Sequence, residues 1–447
     1  MKSRWGRLSL RSRTIAGLGT TLGLAGLMAA WLLAVAQPAA GQGSSVYFGF
    51  SQAADYGGWP SSLNVAQQES SIDPGAVERF DLNWAALQPT CKIAALTAVG
   101  VCPEGPGAFD WSLLDTVVSH MKADGVKLLL NIISSPVWAW NPLTCGAYCA
   151  DTPTGTGDSS PAGIAMPPAD DSTGNGYLQS MVESVLERYD SLDPGEIVGI
   201  EAWNEENVRP FWPTTMGPNA TDYTNLLCSI YSAAKSVNPS IPVILGGLAN
   251  TSAVALNDID IPTFLSDAYA AGAGSCMNAV AVHAYPAGDP SAANSDLPTV
   301  VQDANTADAN GGHPSLPVWI TEFGYCTADT SDKCPNPMTP DQQAAYIDCG
   351  YQLALGMPNV AAVIVDNLDD GPGPSTSPST LQGPPYYGVY TIPGDPKADG
   401  SGYGAVGMLT DMFHGGGSVG PIYSSCQADY WNQVYHANPG DPPPAPN

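Results

Sequence analysis

Residues 109–133 read FDWSLLDTVVSHMKADGVKLLLNII, a helix, a glycine and a strand in immediate succession. Trp111, Leu114, Val117, Val118 and Met121 recur at helical spacing, and Asp110 stands where an N-cap belongs. Gly125 closes the helix, because glycine alone enters the left-handed turn without steric cost. Val126–Ile133 then runs almost without a polar break. Such a run suits a strand covered on both faces, as in a parallel sheet flanked by helices.

Outward from this stretch the unit recurs. Val46–Phe50 and Val77–Trp84 read as strands before it. Helix Tyr177–Tyr189 leads to strand Ile197–Trp203, helix Thr221–Val237 to Val243–Gly247, and helix Ile261–Ala271 to Val280–His283. Strand Val318–Glu322, helix Asp341–Leu355, strand Val360–Val365 and helix Gly402–His414 complete the series. Eight strands, each followed by a helical or loop connection, predict an α/β fold, a (β/α)8 TIM barrel with decorated loops. An open doubly wound sheet is the alternative, but no Gly-x-Gly-x-x-Gly follows the first strand to support dinucleotide binding. The barrel is expected over 45–415, with a cap and Pro-rich tail over 416–447.

Composition narrows the function. The chain has 447 residues, 44% of them hydrophobic, enough for a substantial core. A formal net charge of −28 disfavours nucleic acid and anionic membrane surfaces and makes an uncharged substrate easier to accept. Lys2, Arg4, Arg7, Arg11 and Arg13 precede an apolar run from Ile15 to Ala36 with small residues at its end. Residues 1–41 are therefore expected to be an export signal, so that the protein is secreted, although the same run is long enough to anchor it. The even count of 10 cysteines fits an oxidising compartment. Cys91/Cys102, Cys145/Cys149 and Cys326/Cys334 are close enough to staple loops, leaving Cys228, Cys276, Cys349 and Cys426 for longer bridges. No Cys-x-x-Cys pair occurs and the histidines are scattered, so no metal site is expected.

Barrel enzymes place their chemistry at the C-terminal ends of the strands. The fourth strand ends IVGIEAWNEEN, putting Asn204 and Glu205 there, and the seventh ends VWITEFG, putting Glu322 there. Two carboxyls across one mouth suit glycosidic cleavage, one protonated to assist the departing oxygen and the other ionised to attack the anomeric carbon. Trp138 and Trp212 are candidate platforms for sugar rings, whereas Trp84 and Trp111 read as core.

WNEENVRPFWP (Trp203–Pro213) and TEFG (Thr321–Gly324) resemble the clan A glycoside hydrolases, in which Asn-Glu ends strand four and Glu ends strand seven. YTNLLCSIYSAAKSVNPSIPVILGGLA (Tyr223–Ala249) is similar to the β-xylosidase-like branch and to bacterial cellulase-like proteins. The resemblance extends from RFDLNWAALQP at Arg79–Pro89 to YYGVYTIPGDPK at Tyr386–Lys397. It implies Glu205 as acid/base, Glu322 as nucleophile and Asn204 on the substrate 2-hydroxyl. It also implies Tyr285 bonding the nucleophile, His283 lining the sugar site and Arg79 supporting the ionised nucleophile. The implied activity is retaining hydrolysis of a β-linked oligosaccharide or polysaccharide by a monomer without a cofactor. The competing reading is a carbohydrate-binding protein on a decayed barrel.

Two positions depart from the pattern. Glu206 stands where proline is common, and is expected to face solvent. The eighth strand, VAAVIVDNLDDGP, lacks the Trp that often floors the sugar site, leaving Asp366, Asn367, Leu368 or Asp369 in that region.

Overall fold

The computed structural model describes residues 46–52, 62–94, 98, 100–146, 165–169, 175–191, 194–251, 257–286, 288, 295–327, 337–369, 387–390 and 404–414. The expected export signal and the C-terminal tail lie outside them, as do Cys149, Cys334 and Cys426. Among the described residues no helix is long and apolar enough to cross a membrane.

Eight strands close in sequence order into a barrel, β1 (Tyr47–Gln52), β2 (Val77–Asn83), β3 (Lys127–Ile133), β4 (Ile197–Asn204), β5 (Val243–Leu248), β6 (Ala279–Ala284), β7 (Val318–Phe323) and β8 (Val360–Asp366). Every neighbouring pair is parallel, including the closing pair of β1 with β8. The principal helices are α1 (Ser62–Ile72), α2 (Ser112–Asp124), α3 (Asn175–Tyr189), α4 (Ala220–Val237), α5 (Ile261–Ala270), α6 (Asp296–Asn310), α7 (Pro340–Gly356) and α8 (Gly404–His414). Each follows the strand of the same number. The open-sheet alternative is thereby excluded.

The alternation along the strands divides two cores. Leu128, Leu130 and Ile132 of β3, with Phe48, Phe50, Val363 and Val365, pack outward against the helices. The opposite face fills the barrel. There Val77, Leu129, Ile244, Ala281, Trp319 and Ile364 form an apolar plug. Two residues further along the same strands the lumen turns polar, with Arg79, Asn131 and Thr321 buried in it. The fold thus sets a polar mouth directly above a dry floor.

Helices α1 and α6 were not expected. Their segments, SLNVAQQESSI and DLPTVVQDANTADAN, are rich in Ser, Gln, Asp, Asn and Thr, and α6 carries a proline in its first turn. These residues compete with helical hydrogen bonds, and packing of Leu297, Val300, Val301 and Ala304 decides the outcome in α6. Helix α2 begins one residue later than expected, at Ser112 with Trp111 as its N-cap. Asp110 still acts at its start, its Oδ1 accepting from Ser112 N at 3.0 Å and Ser112 Oγ at 2.6 Å.

Cys91–Cys102 is disulfide-bonded as expected and Cys228–Cys276 ties α4 to the segment before β6. Cys145, Cys326 and Cys349 are disulfide-bonded as well.

Gly125 ends α2 at φ 79°, its N–H reaching the Lys122 and Met121 carbonyls. Gly125→Ala is expected to lower the unfolding free energy by about 1–2 kcal/mol, the cost of a side chain in the left-handed region. Urea unfolding checks this, and an unchanged midpoint would contradict it.

Candidate active site

Arg79, on β2, is 2% exposed and points into the lumen. Its Nε donates to Glu201 Oε2 on β4 at 2.5 Å, Nη1 to Glu322 Oε1 on β7 at 2.9 Å and Nη2 to Asn204 Oδ1 at 2.7 Å. Three strands are thereby cross-linked at one group. The second Glu201 oxygen accepts from Thr321 Oγ1 at 2.7 Å. Burial acts to lower the Arg79 pKa, but Glu201, Glu322 and Asp81 raise it well above its ordinary value. Arginine has no acceptor, so Asn204 must turn its oxygen to Arg79, which leaves its amide N–H groups for another partner.

Glu322 is reached from the other side by Tyr285, which follows β6. The phenol oxygen lies 2.5 Å from Glu322 Oε2 and 2.7 Å from Asp366 Oδ2, at the end of β8. His283 Nδ1, on β6, lies 3.0 Å from Glu205 Oε1 and 3.3 Å from Glu322 Oε2. Burial would raise the Glu322 carboxyl, but His283, Arg79 and the Tyr285 hydroxyl together hold it below the usual glutamate range. Burial likewise acts to lower His283, and Glu322 and Glu205 overcome it to raise its pKa. To bond the ionised Glu322, the ring nitrogen must carry a proton.

Oxygens of Glu205 and Glu322 and a ring nitrogen of His283 all lie within 4.8 Å of one another. That spacing would also admit a cation, but both Glu322 oxygens already meet donors, and Arg79 supplies the positive charge. The arrangement is one for moving protons and charge between two carboxyls.

The backbone is bent to present Glu205. Trp203 and Glu205 have φ of 88° and 47°. Such conformations of non-glycine residues cost on the order of 1–3 kcal/mol each and persist where surroundings enforce them. Here Glu205 N donates to Gly247 O at 2.9 Å, and Trp203 Nε1 to Phe211 O at 2.9 Å. A register shift in the pairing of β7 with β8 between Ile320 and Phe323 accompanies the appearance of both Thr321 and Glu322 on the lumen side. Gly246 and Gly247 of β5 complete the fit. A Cβ on Gly247 would collide with the His283 ring, and one on Gly246 with the Glu206 carboxyl.

Arg79, Asn204, Glu205, His283, Tyr285 and Glu322 are therefore brought together. Trp138 and Trp212 are not. Trp138 is 0% exposed, packed edge-on against Trp84 and Tyr177 with its Nε1 bonded to Gln88 O. Trp212 is 2% exposed and packs edge-on against Trp203 and Tyr223. Neither offers a ring face to a sugar; both are floor beneath the loops. Glu206 also corrects the sequence reading. It is fully buried, because the turn at Glu205 drives it inward onto Gly246, and burial raises its carboxyl well above the usual range. Glu201 escaped the sequence reading altogether. Its signal was a carboxylate inside the otherwise apolar IVGIEAW, two residues before Trp203.

No protein-family profile matches the sequence, and no curated protein matches it. Solved structures do match in fold. The GH39 enzyme from Xanthomonas axonopodis pv. citri is 15% identical, with 82% of this chain and 66% of that one covered and a TM-score of 0.53. A monomeric β-xylosidase from Caulobacter crescentus CB15 is 18% identical, with 82% and 68% covered and a TM-score of 0.54. A GH5_18 variant from Streptomyces cattleya, in complex with Manβ1-4GlcNAc, is 14% identical, with 85% and 82% covered and a TM-score of 0.52. The chain thus spans about two thirds of the length of the first two. These neighbours are glycoside hydrolases, and the likeness establishes the shared barrel.

The raised His283 pKa depends most on the Glu322 charge. Glu322→Gln is expected to lower it, read by NMR titration of the imidazole nitrogens. A pKa that does not move would show that Glu322 is not ionised beside His283.

Proposed function

We propose that the protein is a secreted, monomeric retaining β-glycoside hydrolase acting on uncharged oligosaccharides or polysaccharides. The observation that carries this reading is the meeting of Glu205 and Glu322 at the polar mouth, with Glu322 held ionised. Retaining enzymes place their carboxyls about 5–5.5 Å apart, whereas inverting enzymes need about 6.5–9.5 Å to admit a water between them. The approach of the Glu205 and Glu322 oxygens to within 4.8 Å supports the first geometry.

In this mechanism Glu322 attacks the anomeric carbon as Glu205 gives its proton to the departing oxygen. The glycosyl-enzyme ester forms as the glycosidic bond breaks. Glu205, now ionised, takes a proton from water, and the resulting attack on the anomeric carbon releases Glu322. Both displacements invert, so the product retains configuration. Arg79 and Tyr285 hold the charge on Glu322 before attack and again as it departs. Asn204, its oxygen committed to Arg79, offers N–H donors to a sugar hydroxyl beside the reacting carbon. Each proton and charge in the cycle is carried by these side chains. Secretion is supported by the N-terminal export pattern and by the disulfides.

Aryl β-glycosides test the assignment with wild type, Glu322→Ala and Glu205→Ala side by side. Glu322→Ala is expected to abolish turnover. Glu205→Ala is expected to lose about 10²–10⁴-fold on poor leaving groups, the usual worth of a general acid, and far less on dinitrophenolates that leave unaided. Proton NMR of the first product should show the β anomer. Turnover surviving Glu322→Ala, or an α anomer first, would contradict the mechanism. Sugar binding without turnover would favour a binding protein on the same barrel.

A further inference from the structure

Asp81 stands two residues beyond Arg79 on β2, so both side chains point into the lumen, with Asp81 nearer the mouth. Its partner in register on β3 is Asn131, which is buried and donates from Nδ2 to Asp81 Oδ1 at 2.7 Å. The same oxygen lies 4.0 Å from Arg79 Nη1, the nitrogen that bonds Glu322. A single guanidinium nitrogen thus stands between this carboxyl and Glu322. The Asp81 side chain is nevertheless 23% exposed, whereas Arg79, Asn131 and Thr321 are closed off from solvent. Beneath them the apolar plug fills the lumen, so the exposed part of Asp81 faces the mouth.

A carboxyl so placed is held from below and open above. Ionised, it only accepts hydrogen bonds, so the group it recognises must be a donor. A sugar hydroxyl is one, whereas a carboxylate, an ester or an ether at the same place brings no hydrogen. Burial, the strongest influence, raises the Asp81 carboxyl; Glu322 and Glu201 push the same way, against Arg79 and Asn131. A donor from a ligand would stabilise a charge left in that balance. The order of strands indicates which donor. Asn204 lies on β4 and Asp81 on β2, with β3 between them. With Asn204 at the hydroxyl beside the reacting carbon, the next hydroxyls of the ring run round toward β3 and β2.

We propose that Asp81 is a specificity-determining residue that accepts a hydrogen bond from a free hydroxyl beyond C2 of the sugar attacked by Glu322. It thereby selects a glycone that is uncharged and unsubstituted at that position. This deepens the hydrolase reading and rests on it.

The test is a cycle over enzyme and substrate. The 4-nitrophenyl β-D-xyloside, glucoside, galactoside and mannoside identify the best neutral glycone, whose 3-deoxy and 4-deoxy forms are then compared on wild type and Asp81→Ala. Wild type should lose about 10–100-fold in kcat/KM when one of these hydroxyls is removed, the usual worth of a hydrogen bond to a charged group. Asp81→Ala should lose about as much on the parent sugar and almost nothing further on that deoxy form. Reactivity intrinsic to the deoxy sugar cancels, because both enzymes meet the same pair of substrates. An Asp81 that only braces Asn131 and Arg79 would slow parent and deoxy sugars alike, and such additivity at both positions overturns the proposal. Should Asp81→Ala not fold, Asp81→Asn keeps the shape and loses the charge. It should shrink the cost of the deletion by about threefold or more, and an unchanged cost overturns the proposal. If wild type cleaves none of these glycosides, calorimetric binding of the methyl β-glycosides and their deoxy forms runs the same cycle. Coupling in binding without turnover would overturn the hydrolase reading and sustain the role of Asp81, whereas no coupling, or no binding, overturns that role.

Discussion

A guanidinium sealed inside a barrel, with 2% of its surface exposed, must be answered by charge, and the Arg79 contacts set the geometry of everything above it. Removing one partner from a buried ion pair typically costs about 3–5 kcal/mol, because the other is left uncompensated. Glu201 supplies the fixed counter-charge from β4, and Thr321 holds its second oxygen. With Glu201 committed, the outer Arg79 nitrogens are free to hold Glu322 and Asn204. One side chain therefore sets the charge of Glu322 and the rotation of the Asn204 amide beside it.

Around this group the neighbouring side chains are fixed by charge and by fit. Glu322 is held ionised by Arg79, His283 and Tyr285. His283 spans the Glu205 and Glu322 carboxyls and is itself held against Gly247, where a side chain would displace it. The bent backbone at Trp203 and Glu205 is the local cost of aiming Glu205 into the mouth. The two glycines of β5 make room for what that bend produces, His283 on one and the buried Glu206 on the other.

Much of this was legible in the sequence, for identifiable reasons. Strands covered on both faces are mostly apolar, and all eight stood out, β2 despite its Glu78, Arg79 and Asp81; the ends of β4, β6 and β7 then delivered Asn204, Glu205, His283, Tyr285 and Glu322. Helices α1 and α6 were hidden, because their polar sequences become helical through tertiary packing rather than propensity. The tryptophans misled for a similar reason. Trp138 and Trp212 lie on segments that follow strands, where sugar platforms are found, but their rings are consumed by one another's neighbours, Trp84, Trp203 and Tyr223. Glu206 misled because no sequence pattern reports a positive φ at the preceding residue. Arg79 was visible only through resemblance, and Glu201 only as an unexplained charge in an apolar strand.

The central claim is that Glu322 forms a bond to sugar. It is tested most directly by the mass of the intact protein after incubation with a 2-deoxy-2-fluoro-β-glycoside bearing a good leaving group. The fluorine destabilises the positively charged transition state of both steps, and the leaving group restores only the first, so a covalent intermediate accumulates. One added fluorosugar per chain, located by peptide mapping on Glu322, is the expected result. An adduct on another carboxylate, or rapid turnover of the parent β-glycoside with no adduct formed, would contradict it.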